Sequence, residues 1–458
     1  MEQPRAVILA AGEGTRMKSS LPKVLHMLCG RPLLWYVLES AKTVTAGQVL
    51  VIGHGAEQVR DYFGEGFTYV EQQQQLGTGH ALQQVLPYLP GSGEVLVLCG
   101  DTPLLESAVL EQLISFHRQQ GAAATVLTAP MNDPSGYGRI IRDQQGRVQK
   151  IVEELHLTPE QKMVQEINTG SYCFDLQALK SFLPSLPQNT IKGEYYLTEL
   201  IPILADAGYK VEAYVIEDAQ QALGINDRLQ LAWAASRMRE KINAALMRSG
   251  VTMIDPATTY LDMGVEIGRD TVIYPQTIME GKTRVGQNCR LGPGLHLIDT
   301  IVGDEVTCRQ AVVMESVLQD GANIGPYAYI RPGSTIEAGA KIGDFVEIKN
   351  STIGRGSKVP HLSYVGDTQM GPGVNMGAGS IVVNFDGRHK HVTSIEEGAF
   401  IGCNSNLIAP LKVGKGAFIA AGSTVSRDVP PGSLAISRPK QDNKEGLGRR
   451  FLETKKEK

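Results

Sequence analysis

Val306, Val312, Leu318, Ile324, Ile330, Ile336, Ile342 and Ile348 stand six residues apart, eight apolar side chains in one beat. The beat returns at Ile395, Ile401, Leu407, Val413, Ile419 and Val425. A weaker run comes first, at Ile267, Ile273, Met279, Val285, Leu291 and Leu297. Gly often follows the apolar residue, as at Gly268, Gly325, Gly343, Gly402 and Gly414. A hexapeptide period marks a parallel β-helix, in which each unit makes a short strand and a turn and three units close one triangular coil. No coil buries its own apolar corner, so coils must stack. Chance spacing in an antiparallel sheet does not readily give eight consecutive hits in phase. The repeat is expected over 251–437. Its rhythm breaks at Asn384–Val392, where Asn384-Phe385-Asp386-Gly387-Arg388-His389-Lys390-His391 must leave the coil as a loop.

Outside the repeat the pattern changes. Residues 1–227 alternate apolar runs (Ala6–Ala10, Gln48–Ile52, Val95–Cys99, Ala124–Thr128) with helical stretches such as Leu33–Ala41 and Ala108–Gln119. Such alternation predicts an α/β domain with a mostly parallel, Rossmann-like sheet. From Arg228 to Arg248 there is neither Gly nor Pro, Asn226 or Asp227 can cap the start, and Gly250 follows. A linking helix over 228–250 is expected. The segment 438–458 is a basic tail, with Arg438, Lys440, Lys444, Arg449, Arg450, Lys455, Lys456 and Lys458.

A chain of 458 residues exceeds one ordinary core, in keeping with two domains. Charged residues make up 20% and the net charge is −4, which leaves no basic footprint for nucleic acid. The six Cys (29, 99, 173, 289, 308, 403) form no Cys-x-x-Cys pair, against a zinc site or a disulfide frame and in favour of reduced thiols in a cytoplasm. The run after Met1-Glu2-Gln3-Pro4-Arg5 is too short for a signal sequence. Nothing approaches a membrane span of about 20 apolar residues.

The first chemical constellation follows the first strand. Leu9-Ala10-Ala11-Gly12-Glu13-Gly14-Thr15-Arg16-Met17 puts two Gly in a strand-to-helix turn, where backbone N–H groups can close on a phosphate. Arg16 and Lys23 add positive charge. There is no Gly-Lys-Ser/Thr, so this is no P-loop, and Met17 holds the place of the third Gly of a dinucleotide fingerprint.

The string resembles that of the sugar-1-phosphate nucleotidyltransferases. Gln75-Leu76-Gly77-Thr78-Gly79-His80-Ala81, Gly100-Asp101-Thr102-Pro103-Leu104, Gly136-Tyr137-Gly138-Arg139, Ile151-Val152-Glu153, Glu166-Ile167-Asn168-Thr169-Gly170 and Gly193-Glu194-Tyr195-Tyr196-Leu197-Thr198 follow in order. Together they resemble the bifunctional N-acetylglucosamine-1-phosphate uridyltransferase/glucosamine-1-phosphate N-acetyltransferase family over nearly the whole chain. The resemblance implies a nucleotidyltransferase domain followed by a left-handed parallel β-helix. It implies that Leu9, Ala10, Ala11, Gly12, Lys23, Gln72, Gly77 and Thr78 hold UTP, and that Gly138, Glu153, Asn168 and Asn226 complete the UDP-N-acetylglucosamine site. Asp101 and Asn226 would hold Mg²⁺, which takes few protein oxygens and keeps phosphates and water as its other ligands. Asp101 follows the strand Val95–Cys99, and open α/β sheets bind ligands at that edge. The sugar phosphate would attack the α-phosphorus of UTP in line, with Arg16 and Lys23 neutralising charge and no covalent nucleophile. Bland readings stand beside these: Gly138 as a turn glycine, Asp101 as a helix cap, Lys23 as a solvated lysine.

The second constellation lies on the repeat. Glu347 and Lys349 are two apart, on the strand face opposite in phase to Ile348 and so outside the coil. Arg331 lies one coil before, and His361, Tyr364 and Asn375 follow, then the loop with Asn384, Asp386 and Lys390. Stacked coils are about 4.8 Å apart, so these residues can meet on one outer face. The cluster offers cations for a phosphate, polar groups for a sugar, and one His. The resemblance assigns His361 as general base toward the glucosamine amine as it attacks acetyl-CoA. An unperturbed His, near 6.5, suits that work. Glu347 is expected to orient the His361 ring. Arg331, Lys349, Tyr364 and Asn375 would bind glucosamine-1-phosphate, and Ala378, Asn384, Phe385, Cys403, Ala421 and Arg438 acetyl-CoA.

Four residues depart from the pattern of known members: Cys99 for an aromatic residue, Phe385 for Tyr, Cys403 for Ser and Leu447 for Trp. None removes the proposed base or a phosphate ligand. By the resemblance the acetyl step precedes uridyl transfer, the product is UDP-N-acetylglucosamine for bacterial cell-wall and envelope glycans, and the enzyme is a homotrimer through the β-helix. Two other readings remain. One is a single-activity sugar-1-phosphate nucleotidyltransferase with a structural β-helix, and the other a non-enzymatic subunit on the same folds. Retention of Arg16, Lys23 and Asp101 counts against the second.

Overall fold

A computed structural model describes residues 3–189 and 193–453. Met1 and Glu2, and Lys455, Lys456 and Lys458 of the basic tail, lie outside the described residues. The chain divides into two compact units, 1–238 and 239–458, and the division falls inside the helix Arg228–Arg248.

The first unit is built on β1 (Arg5–Ala10), α1 (Leu33–Lys42), β2 (Gly47–Ile52), β3 (Thr68–Glu71), α2 (Thr78–Gln83), β4 (Glu94–Cys99), α3 (Ser107–Gln120), β5 (Ala124–Pro130), β6 (Arg139–Arg142), β7 (Val148–Val152), β8 (Glu166–Asp175) and β9 (Val211–Val215). The sheet runs β9-β5-β8-β4-β1-β2-β3, with β6 and β7 attached beside β8. Along that path β1 pairs in parallel with β2 and β4, β2 with β3, and β9 with β5. Only β8 runs against its neighbours β4 and β5. A mostly parallel sheet is thus borne out, with β8 as the antiparallel member that the apolar runs did not announce. The central strands read as continuous apolar runs because both faces are covered. In β1, Ala6, Ile8 and Ala10 pack into one core and Val7 into the other.

The described part of the second unit is dominated by a left-handed parallel β-helix with faces of 11, 10 and 9 strands. Cys308, Ile324, Ile342 and Val359 stack inward on one face, Val313, Ile330, Ile348 and Val365 on the next, and Leu318, Ile336, Ile353 and Met370 on the third, all buried. The hexapeptide reading needs one correction. Val312 points outward, 37% exposed, and Val313 takes the inward place. Val306 is buried, but the inward strand residue there is Cys308. The cause is coil length: Cys308 meets Ile324, only 16 residues on, so a strict count of six loses phase before Leu318. From Leu318 to Ile348 the count holds, as it does from Ile395 to Val425.

Small hydroxyls satisfy the buried backbone near the corners. Ser351 Oγ donates to Lys349 O (2.8 Å) and Ser363 Oγ to His361 O (2.8 Å). Both hydroxyls anchor strand ends that carry candidate functional residues. Among the described residues, no helix is long and apolar enough to cross a membrane.

Candidate active sites

The first site lies where β1 and β4 end side by side. Leu9 is in register with Cys99, and Gly100 N–H donates to Leu9 O (2.9 Å). The two loops that leave these strands therefore open from one edge. Between them is a cleft of about 500 Å³ lined by Leu9, Ala10, Ala11, Gly12, Lys23, Gln72, Gly77, Thr78 and Asp101. Gln72 is buried and its amide donates to Gly77 O (3.0 Å), which fixes the start of α2. Gly77 has φ +96°, and a Cβ there would stand 2.7 Å from Tyr195 O, so only glycine fits without a shift.

The charges converge on two oxygen-bearing side chains. Lys23 Nζ donates to Asp101 Oδ2, and lies 3.3 Å from Asn226 Oδ1. Arg16 Nη2 donates to the same Asn226 oxygen (2.9 Å). Asn226 thus reaches the site from just before the long helix. Gly224 also approaches: a Cβ on it would stand 3.3 Å from Asp101 Oδ1. Gly138, Glu153 and Asn168 form a second group. Asn168 N–H donates to Gly138 O (2.9 Å), and a Cβ on Gly138 would meet Glu153 Oε2 at 3.6 Å. Thr198 Oγ1 donates to Glu153 Oε1 (3.0 Å), and Asn168 Nδ2 to Tyr172 Oη (2.8 Å). Sequence reasoning gave no role to Thr198 or to Glu194, which lines the cleft, although both fall in the string Gly193–Thr198. Cys99 also lines the cleft. Burial, with Asp101 nearby, pushes its thiol up to about 12, so it is no thiolate nucleophile at neutral pH.

The second site is on the β-helix. Arg331 Nη1 donates to Glu347 Oε1 (2.9 Å), one coil on. Lys349 Nζ contacts both oxygens of Asp367 (3.1 and 2.9 Å). Lys390 returns from the 384–392 loop toward Lys349, and the neighbouring ammonium holds Lys390 below the usual lysine range. The Asp367 carboxylate on Lys349 offsets part of this repulsion. Tyr364 stands in register with Glu347.

His361 has a different partner from the one expected. Its Nδ1 is 2.5 Å from Asp344 Oδ1, while Glu347 is engaged by Arg331. Register explains the correction. His361 lies beside Asp344, 17 residues back on the same face, whereas Glu347 belongs to the next face, beside Tyr364. The hydrogen bond from His361 holds the Asp344 carboxyl below its usual range. With Nδ1 on Asp344, Nε2 is the ring nitrogen left to accept a proton.

One outer face was expected for the whole cluster, but two share it: Asn375 stands with Lys358, His361 and Phe400, on the face next to that of Glu347 and Tyr364. Ala378, Cys403, Ala421 and Arg438 form a column. Asn404 N–H donates to Ala378 O (2.8 Å), Gly422 N–H to Cys403 O (2.8 Å), and Arg438 Nη1 to Ala421 O. Phe385 is 53% exposed in the stem of the loop, where it bridges to Lys390, while Asn384 is buried.

Two family models match the chain: a MobA-like NTP transferase domain over residues 6–251 and a bacterial transferase hexapeptide (six repeats) over residues 315–350. Among curated proteins, the chain is 49% identical over 453 residues to the Bifunctional protein GlmU of Heliobacterium modesticaldum, covering 98% of this chain and 99% of the relative. It is 50% identical over 442 residues to that of Halalkalibacterium halodurans (96% and 97% covered). It is 46% identical over 457 residues to one from Listeria monocytogenes (99% and 100% covered).

Proposed function

Because the chain belongs to the bifunctional GlmU family, joining uridyl transfer to acetyl transfer, we propose that its two constellations are the two active sites of UDP-N-acetylglucosamine synthesis. Acetyl-CoA acetylates glucosamine-1-phosphate on the β-helix. The N-acetylglucosamine-1-phosphate so formed attacks UTP in the first domain and releases pyrophosphate. The assignment divides the chain into 1–227 for uridyl transfer, 228–250 as link, 251–437 for acetyl transfer and 438–458 as tail. One observation carries the reading: a single chain holds the Lys23–Asp101–Asn226 cluster at a sheet edge and the Asp344–His361 pair beside Arg331, Lys349 and Lys390.

In the acetyl step, Nε2 of His361 takes the proton of the attacking amine, and Asp344 steadies the imidazolium through Nδ1. Arg331, Lys349 and Lys390 hold the sugar phosphate, with Tyr364 and Asn375 beside the sugar. Acetyl-CoA lies along Ala378, Cys403, Ala421 and Arg438, with Asn384 and Phe385 at the loop. Asn375 stands on another face from Tyr364, and Tyr327, Phe345 and Leu362 form an exposed apolar ladder next to His361. These bulky residues have φ of 58°, 55° and 47°, so the backbone is strained to present them. Both features support a homotrimer in which neighbouring β-helices complete each acetyl site.

In the uridyl step, the Ala11–Thr15 turn and Gly77–Thr78 cradle the nucleotide. Arg16 and Lys23 neutralise the phosphates, and Gly138, Glu153 and Asn168 receive the sugar. Asp101 and Asn226 would hold Mg²⁺; their two hard oxygens already draw Lys23 and Arg16, in keeping with a cation site. When bound, the ion supplies charge neutralisation on the reacting phosphates. We place the enzyme in the cytoplasm, where its six scattered cysteines stay reduced thiols.

The test is a mass-spectrometric product assay with Mg²⁺, UTP, acetyl-CoA and glucosamine-1-phosphate. UDP-N-acetylglucosamine formed only with acetyl-CoA present supports both sites. Product only from N-acetylglucosamine-1-phosphate would leave the β-helix as a scaffold and reject His361 as base.

A further inference from the structure

One carboxylate in the β-helix is buried where no substrate is assigned. Asp367 is 7% exposed and has φ +49°, a left-handed corner conformation that Asp tolerates better than most side chains. Its oxygens accept from Lys349 Nζ (2.9 and 3.1 Å), Asn350 Nδ2 (2.7 Å) and Asn384 Nδ2 (2.5 Å). Burial alone would raise its pKa, but these hydrogen bonds outweigh it and hold the carboxyl below its usual range.

The backbone of Asp367 completes the arrangement. Its N–H donates to Lys349 O (2.9 Å), and its carbonyl accepts from Thr393 N–H (3.2 Å). Asn384 opens the loop that interrupts the repeat, and Thr393 begins the next strand after it. Asp367 therefore clasps both ends of the loop and one of the two lysines that face across it. The preceding residue leaves the necessary space: a Cβ on Gly366 would stand 2.5 Å from Tyr364 Oη and 2.7 Å from Asn384 Nδ2.

We infer that Asp367 is a positioning residue that ties the sugar-phosphate half of the acetyl-transfer site to its acetyl-CoA half, through Lys349 on one side and Asn384 on the other. The inference rests on the reading of this β-helix as an acetyl-transfer site. A buried carboxylate that accepts every donor around it fixes those donors more tightly than solvent would. Loss of the clasp frees Lys349 and the loop together, so binding of both substrates suffers at once.

The experiment is steady-state acetyl transfer by the full chain, varying glucosamine-1-phosphate and acetyl-CoA separately, with uridyl transfer from UTP measured on the same preparations. For Asp367→Asn, both KM values are expected to rise by about tenfold while kcat stays within about threefold. Should Asp367→Asn fail to fold, Asn350→Gly serves: φ of 46° at Asn350 suits glycine, and loss of its hydrogen bond should raise both KM values by about threefold. A parent chain that transfers acetyl while Asp367→Asn moves only one KM, or neither, or lowers only kcat, overturns the inference alone. So does Asn350→Gly leaving both KM values unchanged. A parent chain without acetyl transfer overturns the reading of the site itself.

Discussion

The cleft at the sheet edge and the cluster on the β-helix both gather basic side chains around oxygen acceptors, by opposite routes. In the cleft, Lys23 meets Asp101 across 78 residues, and Arg16 meets Asn226 across 210. Nothing in those intervals announces a contact; parallel strands simply bring distant loops to one edge. On the β-helix, Arg331–Glu347, His361–Asp344 and Lys349–Asp367 span 16, 17 and 18 residues. There the repeat turns a sequence interval into a neighbour. A site of the first kind is read from a motif, one of the second from a spacing.

The contrast predicts that the two sites fail independently. Asp101→Ala removes the carboxylate paired with Lys23, and uridyl transfer should fall by about a thousandfold or more while acetyl transfer is unchanged. Parallel product assays on one preparation check both halves, and a loss of both activities would break the comparison. His361→Ala is the mirror experiment, with acetyl transfer expected to fall by about a hundredfold to ten-thousandfold and uridyl transfer retained. An acetyl rate within a few-fold of the parent would remove His361 as base.

Two smaller effects sharpen the register argument. Asp344→Asn should lower the acetyl-transfer kcat on the order of tenfold to a hundredfold, through a misplaced ring. Glu347→Gln should instead act mainly on the KM for glucosamine-1-phosphate, through Arg331; measuring kcat and KM for both variants distinguishes the two carboxylates. The smallest effect concerns the loop. Hydrogen bonds from His389 N–H, the His391 ring and Arg388 N–H hold the Asp386 carboxyl down at about 2. A depressed folded pKa stabilises above the ordinary carboxylate value of about 4, and that contribution is lost as the pH falls toward about 2. Asp386→Asn should lower the melting temperature at neutral pH by about 2 °C at most. The gap should close as the pH falls through that window, which melting curves across the acid range would detect.

Much of the site was legible before the structure. The string Leu9–Met17 and the triplet Gly100-Asp101-Thr102 stand on loops from adjacent strands, Leu9 facing Cys99 in register. Arg331, Lys349 and His361 emerged from coil spacing. The failures share one cause. Glu347 stands 14 residues before His361, which is not a coil, whereas Asp344 stands 17 before it and is. Val312 was counted inward because a fixed period of six ignores the coil of 16 between Cys308 and Ile324. Asp367 gave no signal at all, because an Asp beside a Gly in a turn looks solvated until its depth is known.

The sequence by itself determined the repeat, the alternating first domain, and the charged residue types that mark each site. Those follow from periodicity and local backbone chemistry, which act over a few residues. Only the tertiary structure decided the partners: Asp344 for His361, Asn226 for Arg16 and Lys23, Asp367 for Lys349 and Asn384. A hydrogen bond tolerates only a few tenths of an ångström, and that precision comes from register, coil length and burial taken together.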